Sequence, residues 1–232
     1  MAASSKWPKH RPVLTPEQDG VFEDWNREFS GFIKASKFNR ISSFDHRFPL
    51  DSYAPHIRTL EIGAGAGTHL VWEQEGCYVA LERSEQLARL IPHRDDLEVI
   101  SGDCEARLPY ADGTFDRVLA IHVLEHLYDL PSTLREVRRL LKPTGVFSIV
   151  IPCEGGALYS LGRRFTSKRI FERRYRMAYD WLIKYDHCNS AEEVVEELTA
   201  VFAITRRHYW PLRIPSIDLN LTVGLECRLL AA

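Results

Sequence analysis

Apolar and polar positions alternate along this chain in blocks, short apolar runs followed by segments with helical spacing. Thr59–Ile62, Tyr78–Leu81, Leu97–Ile100, Phe115–Ile121 and Val146–Ile151 are brief apolar runs, each predicting a strand. The last is almost wholly apolar, as a buried parallel strand is. Between them, Thr68–Glu75 reads as a helix with Thr68 as N-cap. Ser84 caps a second helix carrying Leu87 and Leu90, and Pro131 opens a third with Leu134, Val137 and Leu141 on one side. Lys142-Pro143-Thr144-Gly145 stops that helix. Beyond Pro152 the pattern changes: Glu154–Lys184 is helical, basic and aromatic. Ser190-Ala191-Glu192-Glu193 is a capping box opening a helix to about Thr199. Phe202–Tyr209 and Leu219–Leu229 read as two further strands. At the other end, Phe22, Trp25, Phe29 and Phe32 recur at helical spacing after Pro16, predicting a docked helix able to roof a cleft. Residues 1–15 are polar and Pro-bearing and are expected to lack fixed structure, and 38–55 reads as a connector.

Composition narrows the class. A chain of 232 residues suits one domain with an added cap. Its formal charge of -2 implies no wholesale attraction to nucleic acid. Met1–Lys9 lacks the apolar segment of a secretory leader, and no apolar run approaches the ~20 residues that span a bilayer. Cys77, Cys104, Cys153, Cys188 and Cys227 are odd in number and scattered, with no C-x-x-C pair. That pattern speaks against bound metal and a disulfide framework, and for a reducing cytoplasm.

The chemistry concentrates where the first strand ends, at Glu61-Ile62-Gly63-Ala64-Gly65-Ala66-Gly67. A strand feeding a glycine loop and then a helix is how α/β proteins bind nucleotide-like ligands. The dinucleotide fingerprint G-x-G-x-x-G fails here, because its third glycine falls on Thr68 or Leu70. Glu61 with G-x-G-x-G instead resembles motif I of the class I S-adenosylmethionine-dependent methyltransferases. Leu108-Pro109-Tyr110-Ala111-Asp112-Gly113-Thr114-Phe115-Asp116 and Ile121-His122-Val123-Leu124-Glu125-His126-Leu127 resemble successive segments of the type 11 members, which include ubiquinone and menaquinone biosynthesis enzymes. The resemblance runs from about Leu60 to Ile151.

This resemblance implies an α/β fold with a Rossmann-like, doubly wound, mostly parallel sheet of seven strands and an antiparallel terminal strand. The pattern along the chain divides it into an arm and capping helix at 1–57 and a methyltransferase domain at 58–232, with a helical lid insert at about 154–189. The resemblance implies S-adenosylmethionine as cofactor and S-adenosylhomocysteine as product. Glu61, Gly63, Ala64, Gly65 and Gly67 would frame the methionine end. Glu82, at the end of the second strand and about twenty residues past the first glycine, would take the ribose hydroxyls beside Arg83. Asp103 and Cys104 would hold the adenine, and Ile121 and His122 would lie beneath the sulfonium.

A general base is needed only where the acceptor is a hydroxyl or an acidic carbon. The candidates are His187, His122 and His126, with Glu154, Tyr159 and Asp186 as neighbours. The insert carries Arg163, Arg164, Lys168, Arg169, Arg173, Arg174 and Arg176 around a stripe of Phe171, Tyr175, Ala178, Tyr179 and Leu182. One reading is a lid with a solvated basic face. The other is a mouth for an anionic acceptor, such as a phosphorylated sugar, a glycolipid head or a lipid surface. The Asn/Asp-Pro-Pro-Tyr/Phe element of methyltransferases that modify base amino groups is absent, which argues against nucleic acid. The expectation is O-methylation of a small secondary metabolite, glycan, glycolipid or quinone-like precursor. An RNA methyltransferase and a catalytically silent cofactor-binding protein are the alternatives.

Overall fold

The computed structural model describes residues 6–35, 39–74 and 76–230, with the side chains of 28–42 outside that description. Its strands are β1 Arg58–Ile62, β2 Cys77–Glu82, β3 Leu97–Ser101, β4 Phe115–Ile121, β5 Leu141–Pro152, β6 Phe202–Trp210 and β7 Thr222–Leu229. They form one sheet in the order β3-β2-β1-β4-β5-β7-β6. Strands β1 to β5 pair in parallel, and β7 runs antiparallel to both β5 and β6. The Rossmann-like sheet of seven strands is therefore present as expected. Phe115, Val118, Leu119 and Ala120 are all buried, so β4 is covered on both faces, as a central parallel strand must be. Strand order reverses between β1 and β4. Open α/β sheets take their ligands at the carboxyl ends of the strands flanking such a reversal.

The helices are α1 Pro16–Ala35, α2 Asn39–Leu50, α3 Glu85–Ala88, α4 Leu130–Leu140, α5 Ala157–Phe165, α6 Ser167–Tyr175, α7 Asp180–Asp186 and α8 Ala191–Val201. Ser190 and Glu193 form the expected capping box at the start of α8. Ser84 accepts from the Leu87 N–H at the start of α3, yet Leu87 and Leu90 are exposed. The basic insert is three helices, α5 to α7, folded around Phe171, Tyr179 and Leu182, with Ala178 left outside. Trp25 of α1 completes that cluster, its ring centroid 5.3 Å from that of Phe171 and edge-on to it. Phe29 and Phe32 of the same predicted stripe lie outside the described side chains.

Four expectations need correction. The segment 38–55 contains α2, whose Phe44 and Phe48 pack on Val150 of β5. Its Ser, Asn, Asp and His content hides the helix, and packing overrides propensity. The helix expected at 68–75 is only a 3-10 turn, His69–Val71, with no side-chain cap from Thr68. Here Glu73 turns inward to pair with Arg117 at 2.6 Å; Glu75 lies outside the described residues. Lys142–Gly145 belongs to β5 as an irregularity, since Phe115 pairs with Leu141 but Arg117 with Val146. Finally, Trp7 and Lys9 dock part of the arm, while Val13 stays 91% exposed. Trp7 Nε1 donates to Glu197 at 2.8 Å, and the Lys9 N–H donates to Tyr128 O at 2.7 Å.

Candidate functional site

The loop after β1 is built on three glycines at positive φ, 66° at Gly63, 57° at Gly65 and 75° at Gly67. Two of them serve different ends. A Cβ on Gly63 would lie 2.5 Å from Val123 Cγ2, so the missing side chain lets the loop seat on the segment after β4. A Cβ on Gly65 would meet nothing within 4 Å, so its bare backbone borders open space. Ala64 is buried and ties the loop to β2 through its N–H to Leu81 O at 3.0 Å.

Glu82 closes β2 and is buried. One carboxylate oxygen accepts from the Gly65 N–H at 2.8 Å and the other from the Ser84 N–H at 2.8 Å. Past β3, Asp103 Oδ1 accepts from the Glu105 N–H at 2.9 Å, and Oδ2 lies 3.9 Å from Arg83. Cys104 turns inward, and burial, with Asp103 and Glu105 adding to it, pushes its thiol up to about 12. Each carboxylate oxygen accepts up to two hydrogen bonds, so Glu82 and Asp103 keep spare acceptor capacity beside an open glycine cradle. That donor and acceptor set fits a nucleoside with a ribose diol and an exocyclic amine.

Glu61 lies elsewhere. Its side chain is buried and accepts from Tyr78 Oη at 2.9 Å. Burial pushes its carboxyl up to about 7, against the pull of His69 and the Tyr78 hydrogen bond. It shares a buried polar cluster with His69, Glu73 and Arg117, and Arg117 also donates to Thr59 Oγ1 at 3.1 Å. Glu61 is therefore held by Tyr78 within this buried cluster.

On the other side of the loop, Ile121 ends β4 and His122 follows at φ 53°, its N–H donating to Val150 O at 2.9 Å. From His122 a chain of ionisable groups runs into the insert. His122 Nε2 lies 3.0 Å from Asp45 of α2 and Nδ1 lies 3.4 Å from Glu125. Glu125, buried at 2% exposure, is also 3.8 Å from His126 Nε2. His126 Nδ1 donates to Asp186 O at 2.7 Å, and its ring meets that of His187 edge-on at 4.8 Å. His187 Nδ1 lies 3.0 Å from Glu154 Oε2, and Arg163 donates to both Glu154 oxygens at 2.6 Å. Burial opposes the charge on His122 and on His126. Asp45 and Glu125 nevertheless raise His122 to about 10, and Asp186 and Glu125 raise His126 to about 9. His126, Asp186 and His187 also place ligand atoms within 4.8 Å of one another, an arrangement their own hydrogen bonds and the ring contact account for.

All three candidate histidines thus fall in one network, and the loop, Glu82 and Asp103 border one sheet edge. The sequence reading missed Asp45, which sits on an unrecognised helix, and Glu125 as the buried hub between two histidines. The motif Leu124-Glu125-His126 held a signal, since an acid between apolar residues and a histidine needs a partner when buried.

Residues 60–149 match the type 11 methyltransferase domain family. A demethylmenaquinone methyltransferase of Corynebacterium urealyticum is 37% identical over 98 residues, 41% of this chain and 42% of that protein. A malonyl-[acyl-carrier protein] O-methyltransferase of Erwinia pyrifoliae is 36% identical over 92 residues, 38% of this chain and 35% of that protein. The chain spans about half or less of the length of the curated relatives it matches. Among solved structures, geranyl diphosphate C-methyltransferase from Streptomyces coelicolor A3(2) superposes with a TM-score of 0.59 at 14% identity, covering 94% of this chain and 100% of that one. The resemblance to that structure is one of fold.

Proposed function

This chain belongs, through residues 60–149, to the type 11 family of class I S-adenosylmethionine-dependent methyltransferases, and from that premise we propose that it methylates a hydroxyl oxygen of a small organic acceptor. The observation that carries the oxygen assignment is the pairing of His187 Nδ1 with the buried Glu154 carboxylate at 3.0 Å.

S-adenosylmethionine, when bound, supplies an electrophilic methyl group on a good, neutral leaving group. The backbone of Gly63, Ala64, Gly65 and Gly67 would pack against its methionine end. Glu82 would accept from the ribose hydroxyls, with Arg83 at its side. Asp103 would accept from the adenine amine, while the Cys104 backbone N–H meets a ring nitrogen. Ile121 and His122 would line the floor, and Glu61 would act indirectly, by orienting the loop. Alignment of this kind supplies about 7–11 kcal/mol of a bimolecular barrier.

His187 is the residue proposed to take the acceptor's proton. Arg163 beside Glu154 helps hold that carboxyl below its ordinary range, against the cost of burial. Glu154 would accept the Nδ1–H and stabilise the imidazolium formed on proton transfer, with Nε2, 3.8 Å from Asp186 Oδ2, as the nitrogen that takes the proton. His122 and His126 are already cationic at neutral pH, which suits them to fix charge near the site and not to accept protons. Helix α1 and the insert at about 154–189 would cover the acceptor.

The test is transfer of labelled methyl from S-adenosylmethionine to a panel of alcohols and phenols. Formation of a methyl ether supports the reading. Transfer confined to carbon or nitrogen overturns the oxygen assignment, and transfer confined to RNA overturns the small-acceptor reading.

A further inference from the structure

A cavity of about 1340 Å³ opens among α5, α6 and α7, and none of its lining residues belongs to the glycine loop or to the strand ends. Seven of its lining residues are Arg or Lys and two are acidic. Two of the cations are engaged, Arg163 with Glu154 and Lys168 with Asp180 at 2.9 Å. Arg164, Arg169, Arg173, Arg176 and Lys184 are exposed and have no ion pair among the described residues. Residues 154–187 carry a formal charge of +4 within a chain of -2, so the charge is segregated on this insert.

A second feature coincides with it. Leu161, Phe165 and Ile170 expose 52%, 64% and 41% of their surface, a concentration of large apolar side chains on two successive helices. Leu161 and Phe165 stand one turn apart on α5, and Phe165 lines the cavity beside Arg169. The cavity exceeds the ~300–1,000 Å³ typical of small-ligand pockets, and five free cations spread over three helices are too dispersed for one phosphate. Single-stranded nucleic acid would call for a series of aromatic stacking platforms, whereas this exposed patch pairs one aromatic ring, Phe165, with the aliphatic Leu161 and Ile170. Exposed cations beside exposed Leu, Ile and Phe are the combination that holds a helix at a lipid–water interface. Charge draws the surface to anionic headgroups, and the apolar side chains bury among the acyl chains.

We propose that the α5–α6 face docks this protein on an anionic lipid bilayer, with the cavity receiving phosphate-bearing headgroups. The proposal stands apart from the methyl-acceptor reading, because it uses neither the glycine loop nor the histidines. The test is co-sedimentation of the full chain with vesicles of phosphatidylglycerol and phosphatidylcholine against vesicles of phosphatidylcholine alone. Binding to the anionic vesicles should be at least tenfold tighter and should weaken as salt rises. The triple variant Arg169→Gln, Arg173→Gln, Arg176→Gln should lose tenfold or more. Leu161→Ser with Phe165→Ser should lose a comparable amount at unchanged charge. Unaltered thermal midpoints and S-adenosylhomocysteine affinity in both variants would show that fold and cofactor site survive. No preference for anionic vesicles overturns the proposal. So does full binding by the Ser variant, which would mark a purely ionic patch, and so does tighter capture of inorganic pyrophosphate or RNA than of vesicles.

Discussion

The backbone N–H of Gly65 donates to the carboxylate of Glu82 at 2.8 Å, joining the loop after β1 to the end of β2. One side chain therefore sets the width of the crevice and offers acceptors to whatever enters it. Replacing Glu82 with Ala should cost about 1.5–3 kcal/mol of cofactor affinity, the scale of a hydrogen bond to a charged group. Calorimetry with S-adenosylhomocysteine measures this, and a loss within experimental error would move the ribose site elsewhere.

Gly65 itself gives a sharper probe. Valine there would place a branched side chain in open space bordering the crevice and would force φ 57° on an L-residue, a conformation that costs roughly 1–2 kcal/mol. Gly65→Val should abolish detectable binding of S-adenosylhomocysteine while the far-UV spectrum stays native. Unchanged affinity would count heavily against the site.

His187→Ala should lower kcat by about 10²–10⁴, the usual contribution of a general base, with cofactor affinity unchanged. Glu154→Gln should shift the pH–rate profile of the same reaction, because it alters the group that orients His187. A normal rate in the His187 variant would reduce this pair to a structural contact.

His122 is raised from 6.5 to about 10 in the folded protein, despite partial burial, by Asp45 and Glu125. A raised folded-state pKa stabilises fully below the unfolded value and progressively less as pH rises through the folded one. The thermal midpoint should therefore fall between pH 7 and 10, and Asp45→Asn should flatten that decline. Parallel curves for the two proteins would refute the pairing.

Arg117 is 1% exposed in the middle of β4 and is held by Glu73 at 2.6 Å. Glu73→Ala leaves a buried guanidinium without its counter-charge and should destabilise by about 3–5 kcal/mol. Substituting both, as Glu73→Leu with Arg117→Met, should recover most of that loss in a denaturant titration.

Much of this was legible from residue order. The central strands were readable because burial on both faces leaves continuous apolar runs, and the crevice because Glu61, the glycines, Glu82 and Asp103 keep fixed places relative to those strands. Helix α2 was hidden, since its helical state rests on Phe44 and Phe48 meeting β5 and not on local preference. The turn at 69–71 differs for the opposite reason: its local pattern favours a helix, but Glu73 is drawn inward to meet both His69 at 2.9 Å and Arg117 at 2.6 Å. The network joining Asp45, Glu125 and Asp186 unites residues up to 141 positions apart, and periodicity carries no trace of such pairings.

Trp25, inserted among Phe171, Tyr179 and Leu182, has a practical outcome for protein engineering. The helices after β5 borrow part of their interior from a residue more than a hundred positions earlier in the chain. A chimera that exchanges only those helices with a relative would import a hole or a clash. Grafting their specificity onto another scaffold requires moving the opening helix with them.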